Sequence, residues 1–254
     1  MFLYPVLEVF LIQENTKVRR NSMVTGQRDV EPALRSNSGI LEPFETPALR
    51  WLAARAPNWV TPNLLTAIGF LGAVGVFVSY ALAADHPALL WLASTGLAIN
   101  WLGDSLDGTL ARYRGIERPR FGFYLDNAID VPEQLLLALG LAWSGIFRVE
   151  LALLGLIAFY MMSILTLIRA KTVGEFTLAY AGLGTTELRL LIAMINALVF
   201  FVPPQPFSLL GLSTTYPNVM SAVWILATLT TFLISMVEDL RKLAVEDPPH
   251  SRLR

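Results

Sequence analysis

Six long apolar stretches limit this chain to very few folds. They lie near residues 61–84, 88–112, 120–146, 150–170, 186–203 and 217–240. Each is close to the roughly 20 residues that a helix needs to cross a bilayer, and inside a bilayer a helix satisfies all of its own backbone polar groups. A buried helix of a soluble core would explain one such stretch but not six in a row. The sequence therefore predicts an all-α integral membrane protein with six transmembrane helices.

Composition supports this class. The chain has 254 residues, of which 54% are hydrophobic and only 15% charged, whereas a soluble domain carries about 25% charged residues. This length suits one helical domain. The absence of cysteine excludes disulfides, thiolate catalysis and zinc–thiolate sites. For a membrane protein of this composition, with a net charge of −1, we expect membrane lipids as partners and no nucleic acid.

The basic residues predict the orientation in the membrane. If the N-terminus is inside, 18 of the 19 lysines and arginines flank cytoplasmic ends of the spans, and only Arg148 lies outside. Cytoplasmic flanks of membrane helices are enriched in Lys and Arg. We therefore expect a multi-pass protein whose second-to-third loop faces the cytoplasm, in the inner membrane if the source is bacterial.

The chain divides into four predicted segments. Residues 1–39 are expected to be polar and disordered, with Met23 as an alternative start, so that the first 22 residues should be dispensable. Residues 40–56 mix apolar and charged side chains and predict an amphipathic helix on the inner membrane surface, with a plain linker as the alternative. Residues 57–240 form the six-helix domain, and 241–254 form a cytoplasmic tail.

Four carboxylates stand between the second and third spans. Asp104 and Asp107 are three residues apart and Asp126 and Asp130 are four apart, so each pair falls on one helix face. Carboxylates beside hydrocarbon are expensive, and four of them stay ionised together only if cations neutralise them. The pattern therefore indicates a cage for two hard divalent cations, Mg²⁺ or alternatively Mn²⁺. Because both histidines lie elsewhere, a general base here has to be a carboxylate.

These residues also match a family pattern. The run Asp104-x-x-Asp107-Gly108-x-x-Ala111-Arg112, followed by Gly122-x-x-x-Asp126-x-x-x-Asp130, resembles the signature of the CDP-alcohol phosphotransferases. Nine residues separate the two halves, where eight is common in the family. Thr61-Pro62-Asn63-Leu64-Leu65-Thr66 is similar to the family's Pro-Asn-x-x-Thr segment. The resemblance covers about residues 57–240.

The resemblance implies a reaction. A substituted phosphoryl group would move from a CDP-linked lipid donor, expected to be CDP-diacylglycerol, to a small acceptor alcohol with release of CMP. It implies metal ligation by Asp104, Asp107 and Asp126, with Asp130 as the general base that also touches a metal. It implies a substrate site made by Asn63, Thr66, Gly108, Ala111, Arg112 and Gly122. Small residues such as Gly108 would let a nucleotide approach, although helix packing alone also explains them. The resemblance allows a homodimer.

The acceptor stays open. Arg169, Lys171, Glu187 and Arg189 flank the fourth-to-fifth loop on the same predicted face as the aspartates. The basic groups suit a phosphorylated acceptor, whereas Glu187 suits a cationic amino alcohol. As a structural alternative, Thr185 or Thr186 is the N-cap of the fifth span, with Glu187 in its first turn.

The sequence also allows a different role for two arginines and two rival functions. Arg114 and Arg118 are interpreted as topology determinants at lipid headgroups. A membrane prenyltransferase that uses magnesium diphosphate chemistry and a cation transporter are the rival functions. Against both, the carboxylates lie in one short block at a cytoplasmic end, and no inverted repeat is visible.

Overall fold

The computed structural model describes residues 34–36, 40–173, 175–177 and 184–247. The chain divides into Met1–Pro32, none of which is among the described residues, and Ala33–Arg254, which holds every element below. The predictions about Met23 and the first 22 residues therefore fall outside the described part of the chain, as does the end of the predicted tail.

Seven helices account for most of the described residues. The six predicted stretches form α2–α7, and a further helix, α1, precedes them. The helices are α1 (Glu42–Arg55), α2 (Pro62–Ala83), α3 (Leu89–Tyr113), α4 (Pro119–Trp143), α5 (Val149–Thr172), α6 (Thr185–Phe201) and α7 (Tyr216–Glu246). A helix thus lies within 40–56, its place on the membrane surface stays a prediction, and α7 extends into the predicted cytoplasmic tail.

Three of these helices are long and apolar enough to cross a membrane: α2, α5 and α7. Of the other three predicted spans, α6 has 17 residues, and α3 and α4 carry the aspartates near one end. The structure therefore supports a helical membrane protein. For α3, α4 and α6 the crossing itself stays a prediction.

Four short strands complete the described elements. β1 (Leu34–Ser36) pairs in parallel with β2 (Glu175–Thr177), and β3 (Phe207–Leu209) pairs in antiparallel fashion with β4 (Leu212–Thr214). β1 lies within the segment 1–39 that the sequence predicts as disordered. Here the backbone instead pairs with the connection between α5 and α6, which a polar composition alone does not reveal.

The N-caps of α2 and α6 show how residues next to a helix determine where it begins. Thr61 caps α2, because its hydroxyl oxygen accepts a hydrogen bond from the backbone amide of Leu64 at 3.2 Å, and Pro62 occupies the first helical position. At α6 the N-cap is Gly184, so the prediction of Thr185 or Thr186 as the cap is wrong by one or two residues. Glu187 still stabilises the start of α6, because its carboxylate accepts a hydrogen bond from the backbone amide of Gly184.

Glycines bring α2 and α3 into close contact. A Cβ atom added at Gly103 would lie 2.5 Å from the carbonyl oxygen of Leu65 and 2.6 Å from Cα of Gly69. Gly72 and Gly96 repeat this close approach further along the same crossing. Small residues let membrane helices approach closely. As a result α3, which carries the first half of the aspartate motif, is held firmly against α2.

α1 lies on the end of α3 that carries the motif. Its buried Leu49 and Ala53 join an apolar cluster with Leu65 of α2 and with Leu106 and Leu110 of α3. α4 packs on α2 and α5, α6 packs on α3, and α7 packs on α5. This arrangement places the ends of α1, α3, α4 and α6 around the aspartates.

Candidate active site

The structure brings the four motif aspartates together, as the sequence predicts. α3 presents Asp104 and Asp107 from successive turns, and α4 presents Asp126 and Asp130. Asp107 interacts electrostatically with Asp104 and Asp126, and Asp130 interacts with the same two residues. Four like charges at close quarters repel one another, so the site favours binding of cations or cationic groups.

Asp107 is the least solvent-exposed of the four. Its side chain is buried, and its carboxylate accepts hydrogen bonds from the Thr66 hydroxyl of α2 and from the backbone amide of Gly108. Thr66, which the family resemblance assigns to the nucleotide site, thus contacts the second motif aspartate directly. A hydrogen bond of this kind fixes the orientation of a carboxylate in the way that outer groups orient metal ligands.

Arg189 reaches the motif aspartates from α6. Its guanidinium Nη2 lies 3.0 Å from Oδ2 of Asp104, and only 7% of the residue is exposed. Its Nη1 lies 3.5 Å from the hydroxyl oxygen of Thr185, in the first turn of α6. The ion pair therefore joins the beginning of α6 to the motif end of α3.

Arg112 folds back over the glycine of the motif. Its Nη2 donates to the hydroxyl of Thr109 at 3.3 Å, and a Cβ added at Gly108 would lie 3.4 Å from its Nη1. The missing side chain at Gly108 thus leaves room for the guanidinium of Arg112. Ala111 is half-buried, and a Cβ at Gly122 would meet open space.

Two arginines predicted to serve as topology determinants also bind protein groups. Arg114 donates to the carbonyl oxygens of the α1–α2 connection, at Val60, Ala56 (3.0 Å) and Pro57 (2.9 Å). Arg118 donates to the side-chain oxygen of Asn63 at 3.1 Å. Both side chains thus contact parts of the chain that lie far from them in the sequence, and their role as topology determinants at lipid headgroups stays a prediction. Asn63, a predicted nucleotide-site residue, is held by Arg118.

The four predicted acceptor residues do not lie together but contact different parts of the protein. Arg169 pairs with Asp239 of α7, with its Nε 3.0 Å from Oδ2, and both side chains are mostly buried. The two oxygens of Glu187 accept from backbone amides, at Gly184 (2.9 Å) and Leu41 (3.0 Å). Lys171 is exposed at the end of α5. Of the four predicted residues, Arg189 is the one whose ion pair joins it to the motif aspartates.

Two polar residues of the site escape the sequence analysis. Glu133 is buried one turn beyond Asp130, and its Oε2 accepts from the amide nitrogen of Asn100 at 2.8 Å. The same amide donates to the carbonyl oxygen of Gly69 at 3.1 Å. Both residues continue the helix faces of the motif, since Asn100 precedes Asp104 by four and Glu133 follows Asp130 by three. That spacing is the signal that could have identified them.

A narrow cavity lies beside these groups. Its polar lining consists of Asn100, Glu133, Gln134, Thr185 and Arg189. An apolar cavity of about 100 Å³ adjoins it and lies among α4, α5, α6 and α7. Gln134, Leu137, Phe159 and Leu188 line both cavities. A polar site is thus continuous with an apolar space inside the helix bundle.

The donor set has the chemistry of a site for a hard cation. Carboxylate oxygens are the ligands that Mg²⁺ and Mn²⁺ prefer. Among the described residues, however, no group of three or more His, Cys, Asp and Glu side chains has the arrangement of a metal site. Asp104 is bonded to Arg189 and Asp107 to Thr66 instead. The residue types fit a divalent cation, and their assignment as ligands stays a prediction.

Comparisons with known proteins bear on this site. The profile of a family described as CDP-alcohol phosphatidyltransferase matches residues 59–233. An archaetidylinositol phosphate synthase of Pyrococcus horikoshii is 36% identical over 139 residues, which are 55% of this chain and 70% of that protein.

A solved structure shares the fold. The phosphatidylinositol phosphate synthase of Mycobacterium tuberculosis, crystallised with CDP-DAG bound, superposes with a TM-score of 0.52. The superposition covers 80% of this chain and 94% of that chain, at 22% sequence identity. The architecture described above is therefore one that a phosphatidylinositol phosphate synthase also has.

Proposed function

This chain belongs to the CDP-alcohol phosphatidyltransferase family, and we propose that it transfers the lipid-bearing phosphoryl group of a CDP-linked lipid to a phosphorylated polyol. Family membership makes the chain a transferase and replaces the prenyltransferase and transporter interpretations. The observation that carries the choice of acceptor is the buried Arg189, which lies 3.0 Å from Asp104 inside the carboxylate cluster. A guanidinium is well suited to bind a phosphate.

The position of Glu187 argues against a cationic amino alcohol as acceptor. That interpretation needs a carboxylate free to bind an ammonium group. Both oxygens of Glu187 instead accept from the amides of Gly184 and Leu41, so the side chain serves as a cap for α6. With Glu187 occupied, the cationic Arg189 is the charged group of the acceptor residues that faces the aspartates.

The relatives support the same substrates. The Pyrococcus protein is named as a synthase of archaetidylinositol phosphate, and the Mycobacterium enzyme was crystallised with CDP-DAG bound. We infer for this chain a CDP-linked glycerolipid as donor and an inositol phosphate or a chemically similar phosphorylated polyol as acceptor. The apolar cavity beside the polar site offers space for part of a lipid chain.

The residues of the site have distinct proposed roles in the transfer. A hydroxyl oxygen of the acceptor attacks the lipid-bearing phosphorus, the bond from that phosphorus to CMP breaks, and CMP leaves. Asp130 takes the hydroxyl proton. Arg112 pairs with a donor phosphate, and Asn63, held by Arg118, lines the nucleotide end. Thr66 holds Asp107 in a fixed orientation.

The four motif aspartates would hold the divalent cations that this chemistry uses. When bound, such cations neutralise the pyrophosphate of the donor and polarise the bond that breaks. Asp104, Asp107 and Asp126 are the proposed ligands, and Asp130 combines a ligand contact with its role as base. Their shared oxygen chemistry favours Mg²⁺ or Mn²⁺ over softer metals.

We further propose that α2–α7 all cross the membrane and that the site faces the cytoplasm. The support is the distribution of basic residues, 18 of 19 of which flank one side. α1 would lie in the interface of that side, since Phe44 and Trp51 are exposed on a helix that also carries Arg50 and Arg55. The variant Tyr113→Cys tests this orientation. An impermeant thiol reagent should label it in inside-out vesicles but not in intact cells.

CMP release by the purified protein tests the function. The donor is CDP-diacylglycerol or its dialkyl analogue, and the acceptors are inositol 1-phosphate, glycerol 3-phosphate, free inositol, serine and ethanolamine. We expect release with a phosphorylated polyol and Mg²⁺. Free inositol tests whether the phosphate is needed, because it lacks only that group. Preference for serine or ethanolamine would overturn the choice of acceptor, and no release with any acceptor would overturn the reaction.

A further inference from the structure

Glu45 reaches from α1 to two other helices beside the site. Its Oε1 accepts hydrogen bonds from the indole nitrogen of Trp101 at 2.8 Å and from the hydroxyl of Ser105 at 3.0 Å, both on α3. The hydroxyl of Thr186 on α6 lies 3.3 Å and 3.4 Å from its two oxygens. We call these four residues the Glu45 cluster. One half-buried carboxylate thus binds α1, α3 and α6 to one another.

The Glu45 cluster adjoins the ion pair of the site. Ser105 directly follows Asp104, and Thr186 lies one turn before Arg189 on α6. The two helices that Glu45 joins are therefore the two that the contact between Asp104 and Arg189 joins. The cluster holds these helices in register at the position of that contact.

We propose that Glu45 is a positioning residue that holds the beginning of α6 against α3, so that Arg189 is correctly placed for the acceptor. This inference rests on the proposed function. The physical reason is that a carboxylate accepts several hydrogen bonds at once from donors on different elements. Without it, the indole N–H loses its acceptor, and the beginning of α6 is held to α3 by fewer contacts. Small displacements of binding groups are expensive, since about 1 Å can lower a rate about 100-fold.

A purely structural role makes a different prediction. If Glu45 only docked α1, its loss would weaken the attachment of that helix, which Leu49 and Ala53 already secure through their apolar cluster. The protein would then be less stable or less abundant. Each folded molecule would keep its kinetic constants for both substrates.

The experiment compares purified full-length variants in the CMP-release assay. Glu45→Ala removes the acceptor atoms, and Glu45→Gln keeps one side-chain oxygen that can still accept from Trp101 and Ser105. Glu42→Ala is the matched control, since it removes a carboxylate from the first turn of the same helix. The measurements are kcat, KM for the CDP-lipid, KM for the phosphorylated acceptor, and Tm.

We expect Glu45→Ala to raise the acceptor KM or lower kcat so that kcat/KM for the acceptor falls about 10- to 100-fold, with a donor KM within about twofold of wild type. Glu45→Gln should recover most of that loss, and Glu42→Ala should match wild type. In an Arg189→Gln background, Glu45→Ala should have little further effect on the acceptor, because the two residues act in series.

Three outcomes would overturn the assignment: unchanged kinetic constants with a lower Tm, a rise in the donor KM as large as the rise in the acceptor KM, or full additivity with Arg189→Gln. If Glu45→Ala does not fold, Thr186→Val and Ser105→Ala each remove one bond of the cluster and are subject to the same criteria. Wild-type protein that releases no CMP overturns the proposed function and this inference with it. Active wild type with unaffected variants overturns this inference alone.

Discussion

The helices around the aspartates and the helices on the opposite side are packed very differently. In the apolar stretch of α2, 44% of residues are buried inside the protein, compared with 22% in α5 and 11% in α7. α2 meets α3 through glycines that leave no space for a Cβ atom. α5 and α7 pack against each other and expose most of their remaining surface, as helices do that face lipid.

This difference in packing indicates which helices have to hold the residues of the site in fixed positions. The aspartates lie on α3 and α4, which pack on α2, and Arg189 reaches them from α6. Arg169 is an equally good candidate in the sequence, but it lies on α5 and pairs with Asp239 of α7. We therefore expect substitutions around α2 and α3 to affect chemistry strongly, and substitutions between α5 and α7 to affect mainly stability.

The largest effect is expected at Asp107. Asp107→Asn should abolish CMP release, because it removes a proposed metal ligand that is buried and bonded to Thr66. EDTA should have the same effect on wild type. Asp85→Asn, in the exposed connection between α2 and α3, is the matched control and should be fully active. Full activity of wild type in EDTA would contradict the metal assignment.

Asp130→Asn should lower turnover almost as strongly as Asp107→Asn, but it should leave donor binding intact. Loss of a general base lowers turnover by about 10²–10⁴-fold. Donor binding should survive, because the other aspartates and Arg112 are the proposed donor contacts. Calorimetry of donor binding at saturating Mg²⁺, beside turnover, tests this difference. If Asp130→Asn loses donor affinity as severely as Asp107→Asn, Asp130 is a ligand and not a base.

Alanine substitutions at glycines test the packing itself. Gly103→Ala should destabilise the protein by about 1–3 kcal/mol and lower activity, because the atoms in the way belong to the α2 backbone and cannot move aside separately. Gly155→Ala on α5 should be tolerated, since its Cβ would meet Trp224 at an ordinary 3.5 Å. Thermal unfolding in detergent measures both. Equal Tm values for the two variants would remove the contrast between the two sides.

The smallest effect on catalysis is expected at the ion pair between α5 and α7. Arg169→Gln should lower Tm by roughly a few degrees, because it leaves Asp239 buried without its cation, while the acceptor KM stays near wild type. Adding Asp239→Asn should restore part of the Tm. Arg189→Gln, as the comparison, should raise the acceptor KM strongly. A strong rise with Arg169→Gln would instead place Arg169 in the acceptor site.

Local patterns explain why so much of the fold was predictable. Each predicted span is a helix in the structure because apolar length and helix breakers act within the stretch itself, as Thr61 and Pro62 do at the start of α2. The pairing of aspartates on two helix faces follows from the helical repeat in the same way. β1 was missed, since its partner strand lies more than a hundred residues away in the chain.

The sequence by itself determined a helical membrane protein with four aspartates on two neighbouring helices, and it identified the family. Tertiary structure decided which charged residues meet them. Arg189 and Asp104 are 85 residues apart in the chain, Glu45 and Ser105 are 60 apart, and Leu41 and Glu187 are 146 apart. No local periodicity specifies such pairs, because they depend on how helices cross. Because of this packing, Arg189 and not Arg169 pairs with Asp104, Glu187 caps α6, and Glu45 lies beside the site.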